Sequence, residues 1–527
     1  MHAIKGYGTA THDTTHACIS RASFVRAGAL GAATLAGTAA LSGERGQALA
    51  AENVNWDDAC DVLVIGTGYA GLAAAYEAVG AGANVMLVEK LSIPGGNSMV
   101  ADGDFAVCGS QAQRDAGIED SVDAYVHDML VAGLFLNDVE KCRTIAEKSN
   151  ETWEWTRNDL GVEWQTDDAG KVKVIPYGGH SVLRTLHLAA GHGSAIVVPL
   201  LEKLANEGVE PVCDCMLDTL VEDDDGRVVG ARLSMGARNN DASTGTPRLV
   251  RAKRAVVLAT GGFGRDVAWR SAHDPRLDDS VDCTNAADAT AESLCAAMDA
   301  GAMPVHLDWI QCGPWCSPDE EGYGTAPSWI DSVAGYAPDI NPLTGQRCVN
   351  ELTDRKRYCD IIFEVGKPLV QVVNDANVPD WSRVYLEACV DAGVCKKYDD
   401  LHAVARDYEL PEEEFLAQMD EYNGYVRDGE DAQFGKTIPK DAVPIDMPPY
   451  YVTRRWPKVH HTMGGVKTDV DCRVLDVHLR PIPGLFAAGE ITGGVHGACR
   501  LGSCATADCL VNGRIAGKMA AAEEAGA

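Results

Sequence analysis

A chain of 527 residues, 46% hydrophobic and 23% charged, has ordinary globular composition and enough length for two or three domains. Its formal net charge of −32 sets it against nucleic acid and anionic membranes as partners, and an acidic substrate would need a locally basic pocket. No run of 18 apolar residues occurs, so no transmembrane segment is expected in the mature protein.

In chain order, residues 1–50 read as a leader rather than as fold. Ser20-Arg21-Ala22-Ser23-Phe24-Val25-Arg26 precedes a mildly apolar Ala/Gly segment, and Ala48-Leu49-Ala50 offers a small-residue cleavage site. The pattern resembles a degenerate Tat-like (twin-arginine) export signal with Ala22 at the second arginine. That implies an exported, extracytoplasmic protein, in the periplasm or at the outer face of the cell membrane.

Folding proper is expected from Trp56 onward. Asp61-Val-Leu-Val-Ile-Gly66 is a short apolar run of the kind buried in a parallel sheet, residues 69–81 read as an alanine-rich helix, and 84–89 as a second strand. Together they make a βαβ unit. Residues 120–160 carry helical periodicity, and 228–234 and 249–259 read as strands around a polar loop. From about 303 to 444 the texture turns to prolines, aromatics and acidic helices such as 411–426. A glycine-rich, strand-like pattern resumes after Tyr450 and runs to a helix over 506–522. The expected division is a leader at 1–50, a cofactor domain in two parts at 51–302 and 445–527, and a capping domain at 303–444.

Gly66-Thr-Gly68-Tyr69-Ala70-Gly71 follows the first strand and opens the helix. Gly66 allows the tight turn, Gly68 lets a pyrophosphate approach the backbone, and Gly71 lets the helix pack on the strand. Glu89 ends the second strand, where its carboxylate can accept from ribose hydroxyls. Three further motifs follow in order: Pro94-Gly95-Gly96-Asn97-Ser98, Ala259-Thr260-Gly261-Gly262, and Pro483-Gly-Leu-Phe-Ala-Ala-Gly489-Glu490. These resemble the fumarate reductase and succinate dehydrogenase flavoprotein family, in which they wrap one extended FAD. The fold class expected is therefore α/β, a Rossmann-like, glutathione reductase-like FAD-binding domain interrupted by an α+β capping domain. The cofactor set is Gly66, Gly68, Tyr69, Ala70, Gly71, Glu89, Lys90, Gly95, Gly96, Asn97, Ser98, Gly103, Asp104, Thr260, Gly261, Asp288, His461, Gly489, Glu490, Arg500, Gly502 and Ser503.

Eighteen cysteines are scattered along the chain, without a C-x-x-C-H haem site or a zinc-ribbon pair. Buried small hydrophobes are the favoured reading. An iron–sulfur cluster would lack a ligand run of the usual spacing, and disulfides are the remaining alternative. No metal site is expected.

Val459-His460-His461-Thr462-Met463-Gly464-Gly465-Val466 and Gly493-Gly-Val-His496-Gly-Ala-Cys499-Arg500-Leu-Gly502 carry a closer resemblance. Over about 58–517 the chain is similar to the soluble fumarate reductases of the flavocytochrome c type and the related urocanate and acrylate-type reductases. The resemblance implies that His460 and Arg500 bind a substrate carboxylate and that His461 lies toward the flavin. It also implies that Arg355, in Val349-Asn350-Glu351-Leu352-Thr353-Asp354-Arg355, donates the proton. A planar guanidinium can hold a carboxylate by two bonds and an imidazole can add a third. An arginine stays charged below a pKa of about 12, so Arg355 would need its proton replaced by relay.

Family members that reduce fumarate carry a histidine where this chain has Gly313, in Trp309-Ile310-Gln311-Cys312-Gly313-Pro314. They also carry a Thr-Glu pair and a relay arginine where it has Trp329-Ile-Asp331-Ser-Val-Ala-Gly335. The expectation is a reductase of activated C=C bonds that does not use fumarate. Trp309, Cys312, Trp315, Cys316, Trp329 and Tyr336 would line a pocket for a larger, more apolar substrate. An aryl acrylate, a steroid-like unsaturated carbonyl or, as in cardiac glycoside reductases, an unsaturated lactone would suit it. With no second dinucleotide fingerprint and no haem motif, the electrons are expected from a separate donor such as a multihaem cytochrome. The alternatives are a flavin dehydrogenase of the 3-ketosteroid type and an FAD electron-transfer protein.

Overall fold

The computed structural model describes residues 48–51, 54–175 and 178–526; residues 1–47, nearly all of the expected leader, lie outside them. Strand β1 (Asp58–Ile65) is buried throughout its last four residues, where the sheet is covered on both faces. Helix α1 (Tyr69–Gly80) follows, with buried alanines at 70, 73, 74, 75 and 78. Strand β2 (Val85–Val88) returns parallel to β1, from Val62↔Val85 to Ile65↔Val88. After the short helix α2 (Gly96–Val100), the helices Val122–Ala132 and Val139–Asn158 fill the stretch with helical periodicity. Strands β3 (Cys215–Glu222) and β4 (Val228–Met235) then form an antiparallel pair.

Strand β5 (Thr246–Leu258) runs parallel to β1 along one edge, from Asp58↔Val250 to Ile65↔Leu258. Its other edge serves two partners. The first half pairs antiparallel with β4, and the last three residues are left for a strand from the end of the chain. Thirteen residues give β5 the length to do both.

The chain next leaves through β6 (Ile310–Gly313) into an insert holding helices α3 (Ala326–Val333) and α4 (Arg355–Val365), strand β7 (Leu369–Asn374), helix α5 (Glu412–Asp428) and strand β8 (Tyr450–Arg455). β7 and β8 are antiparallel, from Leu369↔Arg455 to Asn374↔Tyr450, with Asp339–Ile340 on the outside of β7 and Cys395–Tyr398 on the outside of β8. Phe415, Met419 and Tyr422 of α5 bury against Val370, Val372 and Val452 of this sheet. So β8, which lies past residue 444, belongs to the sheet of the insert. Strand β9 (Lys458–Thr462) follows at once and pairs antiparallel with β6, Gly313 opposite Lys458. The insert therefore leaves and re-enters the rest of the fold side by side, at residues 313 and 458.

Strand β10 (Pro481–Ala487) takes the place left on β5, parallel, from Leu485↔Val256 to Ala487↔Leu258. Helix α6 (Cys504–Ala522) ends the described chain against α1. A Cβ at Gly513 or Gly517 would run into the backbone of Ala70 or Ala74, so glycine at two positions one helical turn apart sets the spacing of the two helices. Among the described residues no helix is long and apolar enough to cross a membrane.

Candidate active site

At the C-terminal edge of the parallel strands β1, β2, β5 and β10 lies an open cleft, where sheets of this kind bind their ligands. Each strand end delivers one part of its lining: Gly66 and Gly68 from β1, Glu89 and Lys90 from β2, Thr260 and Gly261 from β5, Gly489 and Glu490 from β10. Gly66 has φ +103°, and a Cβ there would overlap the carbonyl oxygen of Ala259. A Cβ at Gly71 would overlap Gly66 O, so Gly71 supports the turn from behind. Gly68 caps α1 without a side chain of its own. Ser98 Oγ accepts from Tyr69 N–H at 3.0 Å and ties α2 to this helix end.

Hydrogen bonds from neighbouring turns hold the acid and the lysine in place. Glu89 accepts from Thr67 N–H at 3.1 Å, from the Thr67 hydroxyl and, through its other oxygen, from Leu91 N–H at 2.9 Å. Thr67 Oγ1 in turn accepts from Gly95 N–H at 2.8 Å, joining the first glycine turn to the second. Lys90 Nζ donates to Asp288 O and Thr290 Oγ1 and pairs with Glu292. Asn97 Oδ1 accepts from Ala286 N–H at 2.7 Å. Thr260 Oγ1 is buried in the lining without a partner. Burial pushes the Glu490 carboxyl up to about 7, while its Oε1 accepts from Thr462 N–H at 2.9 Å. A glycine cradle, an orphaned hydroxyl and acids at the strand ends fit a dinucleotide with a polyhydroxyl chain, which is what FAD would present.

Eight of the expected cofactor residues lie off this lining: Gly71 and Gly95 in the glycine turns, His461 and Arg500 at the reaction end, and Gly103, Asp104, Gly502 and Ser503 in a separate network. Asp104 bonds His187 Nδ1, and a Cβ at Gly103 would overlap Leu188. Gly502 O meets His180 Nε2 at 2.9 Å, and Ser503, at φ +58°, shares a 2.7 Å hydroxyl bond with Thr185. Behind them Arg184, fully buried, pairs with Asp120 at 2.9 Å and Asp128 at 2.5 Å and contacts His180 Nδ1 at 2.9 Å. Removing one member of such a buried set costs about 3–5 kcal/mol. This set underpins the loop that carries Arg500.

The reaction end is built on the β6–β9 ribbon. The register slips between Gln311 and Cys312, so Gln311 faces His461 and Cys312 faces Val459, and His460 is the extra residue of a bulge. Bulges re-aim side chains, and this one separates the tasks of two neighbouring histidines. His461 is buried against the His496 ring at 5.4 Å with Nδ1 3.6 Å from Glu490, on the cofactor side, and its Nε2 has no partner. His460 Nδ1 lies 2.9 Å from Thr284 Oγ1, and its Nε2 lies 3.3 Å from Arg500 Nη2. Arginine can only donate, so Nε2 accepts in this pair and the ring proton sits on Nδ1. Burial, together with the charges of Arg500 and Arg355, holds both imidazoles well below the usual histidine range. Both are neutral.

Arg355 is the first residue of α4, placed there by its neighbour Asp354, whose side chain accepts from Arg357 N–H. Its guanidinium stands 5.2 Å from the Trp315 ring, and its Nη1 is buried without a partner. Gln311 Nε2 donates to Arg500 O at 3.2 Å and holds that arginine's backbone to β6. Arg355, His460 and Arg500 are thus brought together from the insert, the ribbon and the loop before α6. Thr284, Gln311 and Thr67 join the site without a role assigned from the sequence, although Thr67 lies within the glycine fingerprint and Gln311 within the 309–314 stretch.

The aromatic and cysteine lining expected from the sequence does not form. Trp329 is buried inside the insert, its Nε1 bonded to Thr453 Oγ1 at 3.0 Å, and Tyr336 turns outward to Asp441. Cys316 is buried in packed surroundings, and Trp309 and Cys312 line another cleft, beside Lys356. Of the six, Trp315 is the one with ring contacts to His460 and Arg355. Every cysteine among the described residues is unpaired, and most are buried. No group of three or more His, Cys, Asp or Glu among those residues is placed to hold a metal ion.

A family model described as the FAD binding domain matches residues 61–506. The chain belongs to this FAD-dependent flavoprotein family. It is 37% identical over 479 residues to the acrylate reductase flavoprotein subunit of Shewanella woodyi, a match covering 89% of this chain and 92% of that one. To the urocanate reductase of Eggerthella lenta the flavoprotein is 34% identical over 471 residues, covering 88% and 74%. Among solved structures, the open conformation of a flavocytochrome c3 fumarate reductase superposes with a TM-score of 0.73 at 32% identity, covering 89% and 79%. The 3-ketosteroid-Δ4-(5α)-dehydrogenase of Rhodococcus jostii RHA1 superposes at 0.71 with 27% identity, covering 90% and 99%.

Proposed function

We propose that this flavoprotein reduces the C=C bond of an α,β-unsaturated carboxylate or carbonyl compound. The observation that carries the reading is the convergence of Arg500 and Arg355 on the neutral His460 at the end of a dinucleotide cleft. Reductases of acrylate, urocanate and fumarate among the relatives support it. Bound FAD would supply a hydride from its N5.

Arg500 holds the substrate carboxylate through its planar fork, and His460 adds a donor once its proton moves to Nε2. The Thr284 hydroxyl permits that exchange, because it accepts from Nδ1–H in one tautomer and donates to Nδ1 in the other. Positive charge at this end stabilises the electron density that builds on the carboxylate as the alkene is reduced. Arg355, carried by the insert and stacked on Trp315, delivers the proton to the α-carbon. Fumarate is not expected to serve, since Gly313 offers no side chain to a second carboxylate.

The electrons come from a separate donor, such as a multihaem cytochrome. That reading rests on the lack of a haem motif or a second dinucleotide fingerprint in the sequence, and on a relative named as a flavoprotein subunit. An extracytoplasmic location rests on the leader pattern in residues 20–50.

Anaerobic reoxidation of the reduced holoenzyme, followed by flavin absorbance across acrylates, urocanate, fumarate, enone steroids and unsaturated lactones, tests the assignment. Reoxidation by a monocarboxylate or neutral alkene is expected, and Arg355→Lys should slow it by about 10²–10⁴-fold with flavin content unchanged. Reduction of the flavin by a saturated ketone, untouched by Arg355→Lys, would favour the dehydrogenase instead. Silence across the whole panel would favour an electron carrier.

A further inference from the structure

Trp315 stands at the meeting point of the two halves of the site. Its indole meets the His460 ring edge-on, centroids 4.9 Å apart with the planes at 90°. Its face carries the Arg355 guanidinium at 5.2 Å. The same indole folds back over β6, where a Cβ on Gly313 would overlap its six-membered ring. The backbone on either side pins it: Pro314 O accepts from buried Arg455 Nε at 3.1 Å, and Cys316 O accepts from Trp456 N–H at 2.9 Å.

We propose that Trp315 is a specificity-determining residue, which selects an α,β-unsaturated monocarboxylate whose β-carbon carries hydrogen or an apolar group. This rests on the reductase reading above and names the substrate class of the same site. Arg500 and His460 supply donors at one end only. At the other end the indole occupies the space beside Arg355 and His460, its face covering the Arg355 guanidinium, and it offers a second carboxylate at most one neutral N–H in place of the two-point charged partner that Arg500 gives the first. With Arg355 covered by the indole, a charged group held there would lose its water for one neutral donor at most, a cost the site cannot offset. An apolar substituent, or none, leaves the indole and the stacked guanidinium undisturbed. The geometry also explains why residue 313 is glycine: the indole from two residues further on fills the space a side chain there would take, and the two exclude each other.

The test compares acrylate with fumarate in the holoenzyme, by kcat/KM with a reduced viologen as electron donor. Wild type is expected to prefer acrylate by at least about 100-fold, as the loss of one good charge-assisted contact would give. Trp315→Ala should narrow that ratio by tenfold or more by opening a path to Arg355, whereas Trp315→Phe should restore it. Gly313→Ala should cost activity in the wild type and cost little beside Trp315→Ala, because the clash is then gone. If the ratio stays fixed in Trp315→Ala while both rates fall together and the flavin spectrum is kept, the indole is only structural and the proposal fails. Equal rates on both acids in wild type would overturn it as well, while leaving the reductase assignment standing. Wild type inert to every unsaturated monocarboxylate, aryl acrylates included, but active on a neutral alkene also ends it, and inert to every alkene ends the reductase reading itself.

Discussion

The cofactor cleft and the reaction end are built by opposite means. The cleft is made of backbone: glycines at 66, 68, 71 and 489 clear a path along the edge of one sheet, and most of its contacts lie within a few residues of a strand end. The reaction end is made of single side chains from distant segments, with Thr284 and His460 176 positions apart and Gln311 and Arg500 189 apart. A backbone site is robust to side-chain exchange and intolerant of any added Cβ. A side-chain site has the reverse sensitivities.

Substitution should expose that contrast. Gly66→Ala is expected to have the largest effect, loss of essentially all bound flavin. Its Cβ would meet the Ala259 carbonyl, and neither backbone can retreat from the sheet. The ratio of flavin to protein absorbance in purified material reads it directly, and retained flavin would mean that the cleft tolerates side chains after all. Thr284→Val should leave flavin binding intact and lower kcat/KM about tenfold, the loss of one hydrogen bond of about 1–1.5 kcal/mol. An equal loss for a neutral enone and for a carboxylate would show that Thr284 does not act through His460.

The smallest effect concerns pH. His460 and His461 are neutral in the fold, whereas in the unfolded chain they take up protons near pH 6.5. Below that value the unfolded state binds more protons than the folded one, so stability falls as the pH drops from about 6.5 toward 5. His460→Gln should flatten that fall in the thermal midpoint and leave the values at pH 8 in place. An unchanged slope would mean that His460 is charged in the folded protein.

The same contrast decides what could be read from the sequence. The fingerprint from Gly66 to Gly71, the acid at Glu89 and the turns ending at Ser98, Gly261 and Glu490 are contiguous, and each has a backbone reason for its residue type. Thr67 escaped because the fingerprint leaves its position open, although its hydroxyl joins Glu89 to Gly95. Thr284 and Gln311 carry no local signal at all, since their roles exist only once β9 lies beside its partners. The aromatic texture of the insert pointed to a roomy apolar pocket, and five of the six residues instead serve packing, another cleft or the outer surface. Composition shows that Trp329 and Tyr336 need somewhere to go, but not which face they will turn to. Change of texture likewise placed the end of the insert at 444, whereas β8 pairs within its sheet as far as Arg455.

The pairing of Gly313 with Lys458 has a consequence for descent. An insertion of 144 residues, 314–457, whose two ends lie side by side on one ribbon can be lengthened, shortened or exchanged as a cassette without moving any strand of the cofactor sheet. Such a lineage can recruit new substrates by rewriting one segment while inheriting its cofactor cleft whole. That a steroid dehydrogenase shares this architecture at 27% identity is in keeping with that history.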